Sequence, residues 1–174
     1  VDIIDVIVTF AKTGRIGALR LGLRGDELVA ALREVGVPFR ASDDFADFLQ
    51  REESVEVHIG DGELRMLGLD QTGWREPEFR LPARMSTPGG IGAGSVQGTV
   101  GVGVVVLPMD RTLALLDEHE CPWHQYPPLT FDTQTTIETS CGVQLTFALG
   151  ETPGEYLLHC MYASMRDAGP QLDN

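Results

Sequence analysis

Apolar positions along this chain change period several times, and each change marks an element. Over residues 2–13, Ile3, Ile4, Ile7, Phe10 and Ala11 recur at helical spacing with Asp2, Asp5, Thr9 and Lys12 opposite, and Gly14 is placed to cap the C-terminus. Val6 and Val8 break the pattern and keep a strand reading of this segment open. Residues 25–35 read as a clearer amphipathic helix. Leu28, Val29, Leu32 and Val35 form its buried stripe, Asp26 and Glu27 occupy the first turn where the dipole favours acids, and Gly36 then Pro38 stop it. Another helix is expected over 110–120, with Asp110 as N-cap, Leu113 and Leu116 inward and Pro122 beyond the end. The period falls to two where Val55, Val57 and Ile59 alternate with Glu56 and His58. Gly60-Asp61-Gly62 then reverses the chain and residues 64–69 return, which predicts a β-hairpin. Alternation resumes in the strand Thr135–Thr139 and at Val143, Leu145 and Phe147, with a turn over 150–155 and a return over Tyr156–Ala163. The acidic stretch 42–53, with Phe45, Phe48 and Leu49, suits one or two helical turns, and residues 102–107 read as a strand.

Helix and stop signal are written twice. Residues 21–39 align without a gap onto 105–123, with six identities in nineteen: Leu23/Leu107, Asp26/Asp110, Ala30/Ala114, Leu32/Leu116, Glu34/Glu118 and Pro38/Pro122. The hairpins follow at a larger offset, because the second copy has longer connections. Helix then hairpin, twice, predicts an α+β fold: two tandem helix–β-hairpin repeats forming an antiparallel sheet with helices on one face. The expected organisation is a first α+β repeat with its N-terminal helix over 1–70, an irregular Gly/Pro-rich linker over 71–104, a second repeat over 105–165 and a flexible tail over 166–174, all within a single compact domain.

Charge is the strongest compositional signal. The net charge is −13, and residues 110–174 carry ten acids against two bases. Such a surface repels nucleic acid and anionic membrane and favours cationic partners, although solubility alone also explains it. Cys121, Cys141 and Cys160 make an odd count with no paired framework, which favours a reducing, cytoplasmic setting. The acidic start lacks the basic region of a signal peptide and is read as structure, and no apolar run has the length of a membrane span.

Candidate chemistry is sparse. The glycines of 89–103 resemble part of a phosphate loop, but Pro82 and Pro88 precede them and a Val-rich segment follows, so the strand-to-helix context that holds a phosphate is missing. Ser95 lacks the flanking glycines of a nucleophile elbow. His119, Cys121 and His124, with His159 later, are residue types that zinc prefers. Yet there is no Cys-x-x-Cys, and Cys121 stands where the first copy has Val37, a core position. Cys160, on an apolar strand, reads as a buried small hydrophobe. Acidic pairs and rigid aromatics remain as binding candidates: Asp43, Asp44, Asp47, Glu52 and Glu53 in the first unit, Asp117, Glu118 and Glu120 in the second, with Trp74, Trp123 and Tyr126 as anchors. Phe131 belongs with Trp123 and Tyr126, a group that a packed corner after the second helix accounts for at least as well, and Phe79 beside Trp74 is a further exposed-aromatic candidate.

The segment from Thr13-Gly14-Arg15-Ile16-Gly17 through Leu19-Arg20-Leu21-Gly22-Leu23 into Asp26-Glu27-Leu28-Val29-Ala30-Ala31-Leu32 resembles a recurrent bacterial module. That module looks like the repeat unit of the β-lactamase inhibitory protein and of small outer-membrane assembly lipoproteins, in which a helix pair is followed by antiparallel strands. Two-unit actinobacterial immunity-type proteins resemble this chain more nearly. Arg24 departs from the small or hydroxyl residue that usually opens the module's helix, and the glycine-rich segment is an insertion relative to it. The resemblance implies a protein that works by binding another protein, with no catalytic residues to transfer. The expectation is therefore a non-enzymatic, acidic immunity or inhibitor protein with a protein partner such as a cationic toxin or enzyme. No cofactor, nucleic acid or membrane is expected. The alternative is an enzyme or a small-molecule or metal binder using His119, Cys121, His124 and His159 in a groove between the repeats.

Overall fold

In a computed structural model the chain is described over residues 2–38, 48–71, 79–86 and 106–165. Among these residues are four helices, α1 (Ile3–Thr13), α2 (Gly25–Val35), α3 (Ala83–Ser86) and α4 (Met109–Glu118). Seven strands accompany them: β1 (Phe48–Glu52), β2 (Val55–Gly60), β3 (Glu63–Asp70), β4 (Trp123–Gln125), β5 (Gln134–Thr139), β6 (Gln144–Leu149) and β7 (Tyr156–Ser164). The strands form one antiparallel sheet in the order β1-β2-β3-β7-β6-β5-β4. The fold is α+β.

Helix α1 is capped at both ends. The Asp2 carboxylate accepts from the Ile4 amide, and Gly14, at φ 65°, donates its N–H to the Phe10 carbonyl. Val6 and Val8 are buried along with Ile3, Ile7, Phe10 and Ala11, so the broken periodicity reflects a helix covered on more than one side, not a strand. Helix α4 starts two residues earlier than an N-cap at Asp110 implies. Pro108 is its N-cap, with φ fixed near the helical value, and Asp110 turns its carboxylate onto the Arg111 amide.

Two strands escape the period-two pattern. The segment expected as helical turns contains β1, which pairs with β2 through the two-residue turn Glu53-Ser54; residues 42–47 lie outside the described residues. Strand β4, three residues long, is too short to show alternation, and is bounded by Pro122 on one side and by the 3-10 turn Pro127–Leu129 on the other. The strand expected over 102–107 falls mostly outside the described residues. Leu107 instead accepts a hydrogen bond from the Leu158 amide, and Pro108 bridges Leu157. Phe79, an expected surface aromatic, is fully buried.

One core joins the helices to one face of the sheet. Val55, Val57, Ile59, Leu64, Leu67, Leu69, Leu145, Phe147, Leu158 and Met161 pack in the same cluster as Phe10, Leu28, Leu32 and Leu116. At about 1.5–3 kcal/mol per large side chain removed from water, this layer is the main stabilising term.

Several details recur on both sides of the β3–β7 junction. The Val37 amide donates to Leu32 O, and the Cys121 amide to Leu116 O. The Leu64 amide donates to Leu23 O, and the Leu158 amide to Leu107 O. The β2–β3 register slips after His58, leaving Arg65 unopposed; the β6–β7 register slips after Thr146, leaving His159 unopposed. The two bulged carbonyls then accept across the junction, Arg65 O from the Met165 amide and His159 O from the Gln71 amide.

Gly68 faces Tyr162 at the centre of that junction. A Cβ on Gly68 would lie 2.3 Å from two carbons of the Tyr162 ring, so the ring lies directly over the glycine. Gly68→Ala is therefore expected to destabilise the fold by about 1–3 kcal/mol, the cost of overpacking a filled site. Urea denaturation of Gly68→Ala, alone and combined with Tyr162→Ala, tests this. The second substitution should recover part of the loss made by the first.

Candidate functional site

On the sheet face away from the core, the registers align one row across all seven strands: Arg51, Glu56, Gly68, Tyr162, Gln144, Glu138 and His124. Side chains in this row reach one another laterally. The Tyr162 hydroxyl passes over Gly68 and donates to Glu56 Oε1 at 3.3 Å, joining β7 to β2 across β3. Arg51 lies 4.0 Å from Glu56 and 3.1 Å from Asp70 Oδ2, and it also donates to the Glu53 and Gln71 carbonyls. Gln144 Nε2 donates to Glu138 Oε2 at 3.2 Å. Thr136 and Thr146 bond each other one step along, with the 3-10 turn accepting from Thr136 at Leu129 O.

Glu56 and Glu138 are buried although they belong to this polar row. Burial, then the neighbouring Asp70, raises the Glu56 carboxyl above its ordinary range, with the Tyr162 and Arg51 contacts opposing in part. Burial likewise pushes the Tyr162 phenol up, and it pushes the Cys160 thiol to about 12. Cys160 is only half-buried and sits in this polar layer beside Asp70 and Thr146, not in the apolar core that its strand suggested. At neutral pH it is a thiol and a poor nucleophile.

The second acidic locus is the corner after α4. Asp117 and Glu118 close a helix with no basic residue in its last turn, so they add negative charge to the negative end of the dipole. The Lys12 ammonium offsets part of this by donating to the His119 carbonyl at 2.7 Å. Glu120 follows with φ 53°, a left-handed conformation that disfavours a side chain. The Trp123 indole N–H then donates to Asp117 Oδ1 at 3.1 Å, holding the half-buried ring against the acidic turn. Tyr126, also half-buried, joins β4 to β5 through its amide.

Asp117, Glu118, Glu120 and Trp123 are thus brought together, with Tyr126 just beyond. Glu52 and Glu53 lie at the β1–β2 turn, on the opposite edge of the sheet. Six strand spacings separate the two edges, roughly 28 Å. Asp43, Asp44, Asp47 and Trp74 lie outside the described residues. The four metal candidates are dispersed. His119 ends α4, Cys121 is in the core, His124 is on the edge strand, and the His159 ring is bonded to Gln71 Oε1 at 3.1 Å three strands away. Among the described residues, no group of three or more His, Cys, Asp or Glu side chains is disposed to hold a metal ion. A cavity of about 450 Å3 does occur, but beside α2, lined by Asp26, Val29, Arg33, Val37, Pro38 and Arg84, and none of the four reaches it.

Sequence reasoning missed the polar row. Glu56 and Tyr162 are 106 residues apart. Only the strand order brings them together, and Glu56 in an alternating strand looks like any solvated position. Comparison with protein-family models, with characterised proteins and with solved structures finds no match to this chain.

A raised carboxyl in the folded state holds its proton to higher pH than the unfolded chain does. Its contribution to stability is then lost as pH rises through the folded value. Glu56→Gln is expected to raise the urea midpoint at pH 7 and to leave it unchanged at pH 4. Equal gains at both pH values would show that the Glu56 charge is not the cause.

Proposed function

We propose that this chain is a non-catalytic, acidic protein-binding module, an immunity or inhibitor protein that captures a cationic toxin or enzyme through the corner after α4. The observation that carries this reading is Glu120. In the first half the corresponding residue is Gly36, at φ 93°, where glycine caps α2 at no steric cost. The second half places a glutamate at the same point of the helix stop, in a left-handed conformation and beside the negative end of a helix dipole. Backbone and electrostatics both oppose that choice, and strain of this kind collects at functional positions. A cationic partner would relieve the electrostatic part.

The charge is consistent with this. From Asp110 to Met165 the chain carries eight acids and one base, Arg111. Such a surface steers a cationic partner and speeds its capture, at salt-dependent rates. Trp123, held by Asp117, supplies the rigid apolar anchor that charge alone lacks. No helix among the described residues is long and apolar enough to cross a membrane; the cytoplasmic setting in this proposal is supported by the odd, unpaired set of cysteines.

We further read the chain as two copies of one helix–hairpin unit, related by an approximate two-fold axis through the Gly68–Tyr162 pair. The paired hydrogen bonds, the matched bulges and the reciprocal bonds at Arg65 and His159 support this reading. A residue on such an axis meets its own counterpart. Two tyrosines would collide there and two glycines would leave a void, so the copies differ, one glycine and one tyrosine.

Co-expression with the product of the adjacent gene, followed by calorimetric titration at low and high salt, tests the binding reading. Affinity should fall as salt rises. Glu120→Gly should stabilise the isolated protein by about 0.5–1 kcal/mol, since glycine accepts this conformation, while weakening capture. Stabilisation without any loss of affinity would remove Glu120 from the interface.

A further inference from the structure

We propose that Cys121 and Cys141 form a redox-responsive pair, able to close an intramolecular disulfide when a small-molecule disulfide such as oxidised glutathione is present. The β4–β5 ladder runs through Trp123↔Thr139 and His124↔Glu138. It gains one more hydrogen bond, from the Ser140 amide to Pro122 O at 2.9 Å. Cys121 and Cys141 are the next residue on each side of this bond, so the register sets them across from each other where the ladder ends. The chain turns at this point, Gly142 N donating to Thr139 O, and the turn carries the Cys141 thiol onto the core side. There Cys141 donates to the Ala11 carbonyl at 3.0 Å, beside the Thr139 hydroxyl. Cys121 is buried in the core just after the α4 stop, whose His119 carbonyl accepts from the Lys12 ammonium of α1.

The two thiols differ in a way that orders the chemistry. Cys141 is exposed and Cys121 is buried, with its thiol raised first by burial and then by the neighbouring Cys141, while Lys12 lowers it. The Cys141 thiolate attacks one sulfur of oxidised glutathione. This forms a mixed disulfide and releases one glutathione thiolate. Cys121, its proton lost to the glutathione thiolate just released and its thiolate favoured by the Lys12 charge, then attacks the Cys141 sulfur and expels the second glutathione. Two protein thiols are oxidised and one glutathione disulfide is reduced to two thiols, so protons and electrons balance. The bond would tie the Glu120–Trp123 corner to the β5–β6 turn, a constraint that does not depend on the binding reading above.

The test uses the full chain carrying Cys160→Ser, incubated folded with oxidised glutathione. Thiol titration and peptide mass mapping then follow the two remaining cysteines. The expected result is loss of both thiols as one Cys121–Cys141 bridge with no retained glutathione, reversed by dithiothreitol, and a higher urea midpoint for the oxidised form. In the same background, Cys141→Ser should show no such rise, and Cys121→Ala should keep glutathione on Cys141. Glutathione retained on Cys141 beside a reduced Cys121, disulfide-linked dimers, or two unreacted thiols would each overturn the proposal.

Discussion

The fold turns on one contact, the Tyr162 ring lying over Gly68. Strands β1 to β3 and strands β4 to β7 are joined within the sheet by the single β3–β7 pairing. Its five residue pairs hold two halves whose own hairpins are close in sequence. The missing side chain at Gly68 lets a phenol cross the junction and bond Glu56 on the far strand. Apolar packing beneath and a polar tie above therefore meet at the same point. Central sheet glycines usually weaken a strand, and here the neighbouring aromatic restores the lost contact area.

The two faces of the sheet divide the work. Beneath, the helices supply ordinary burial, and little there distinguishes this protein from other α+β domains. Above, a row of charged and polar side chains is kept in place by its own lateral bonds. Carboxylates recur at both places, Glu56 and Glu138 in the row, with Asp70 one step along the same face, and Asp117, Glu118 and Glu120 at the corner. In the row they are partnered within the molecule by Arg51, Tyr162 and Gln144. At the corner the compensation is one lysine ammonium and one indole N–H. That difference directs attention to the corner.

Local elements were legible in the sequence wherever a period ran long enough. Helices α1 and α2, the hairpins β2–β3 and β6–β7, and the stop at Gly36 all follow from spacing and capping alone. Strand β1 was misread because Leu49, 61% exposed, is an outward residue, so its apolar character carried the wrong phase. Strand β4 was invisible because three residues hold no period. The site was legible in part. Asp117, Glu118, Glu120 and Trp123 assemble because they are neighbours in sequence around a helix end. The row through Glu56 and Tyr162 depends on strand order, as does the separation of His159 on β7 from His124 on β4, three strands away.

The edge at β4 has a consequence for how the molecule behaves in a crowd. A sheet edge is a template for pairing with another chain, and electrostatic repulsion between molecules is the usual safeguard. This protein loses that safeguard near its isoelectric point, about 4.5, where net charge vanishes. The β4 edge is protected without charge. It offers three residues, and Pro122, Pro127 and Pro128 bracket them with positions that have no N–H to donate. A growing stack of strands would find no continuous ladder to extend. Colloidal stability at this edge is therefore written into the backbone and persists when the surface is discharged.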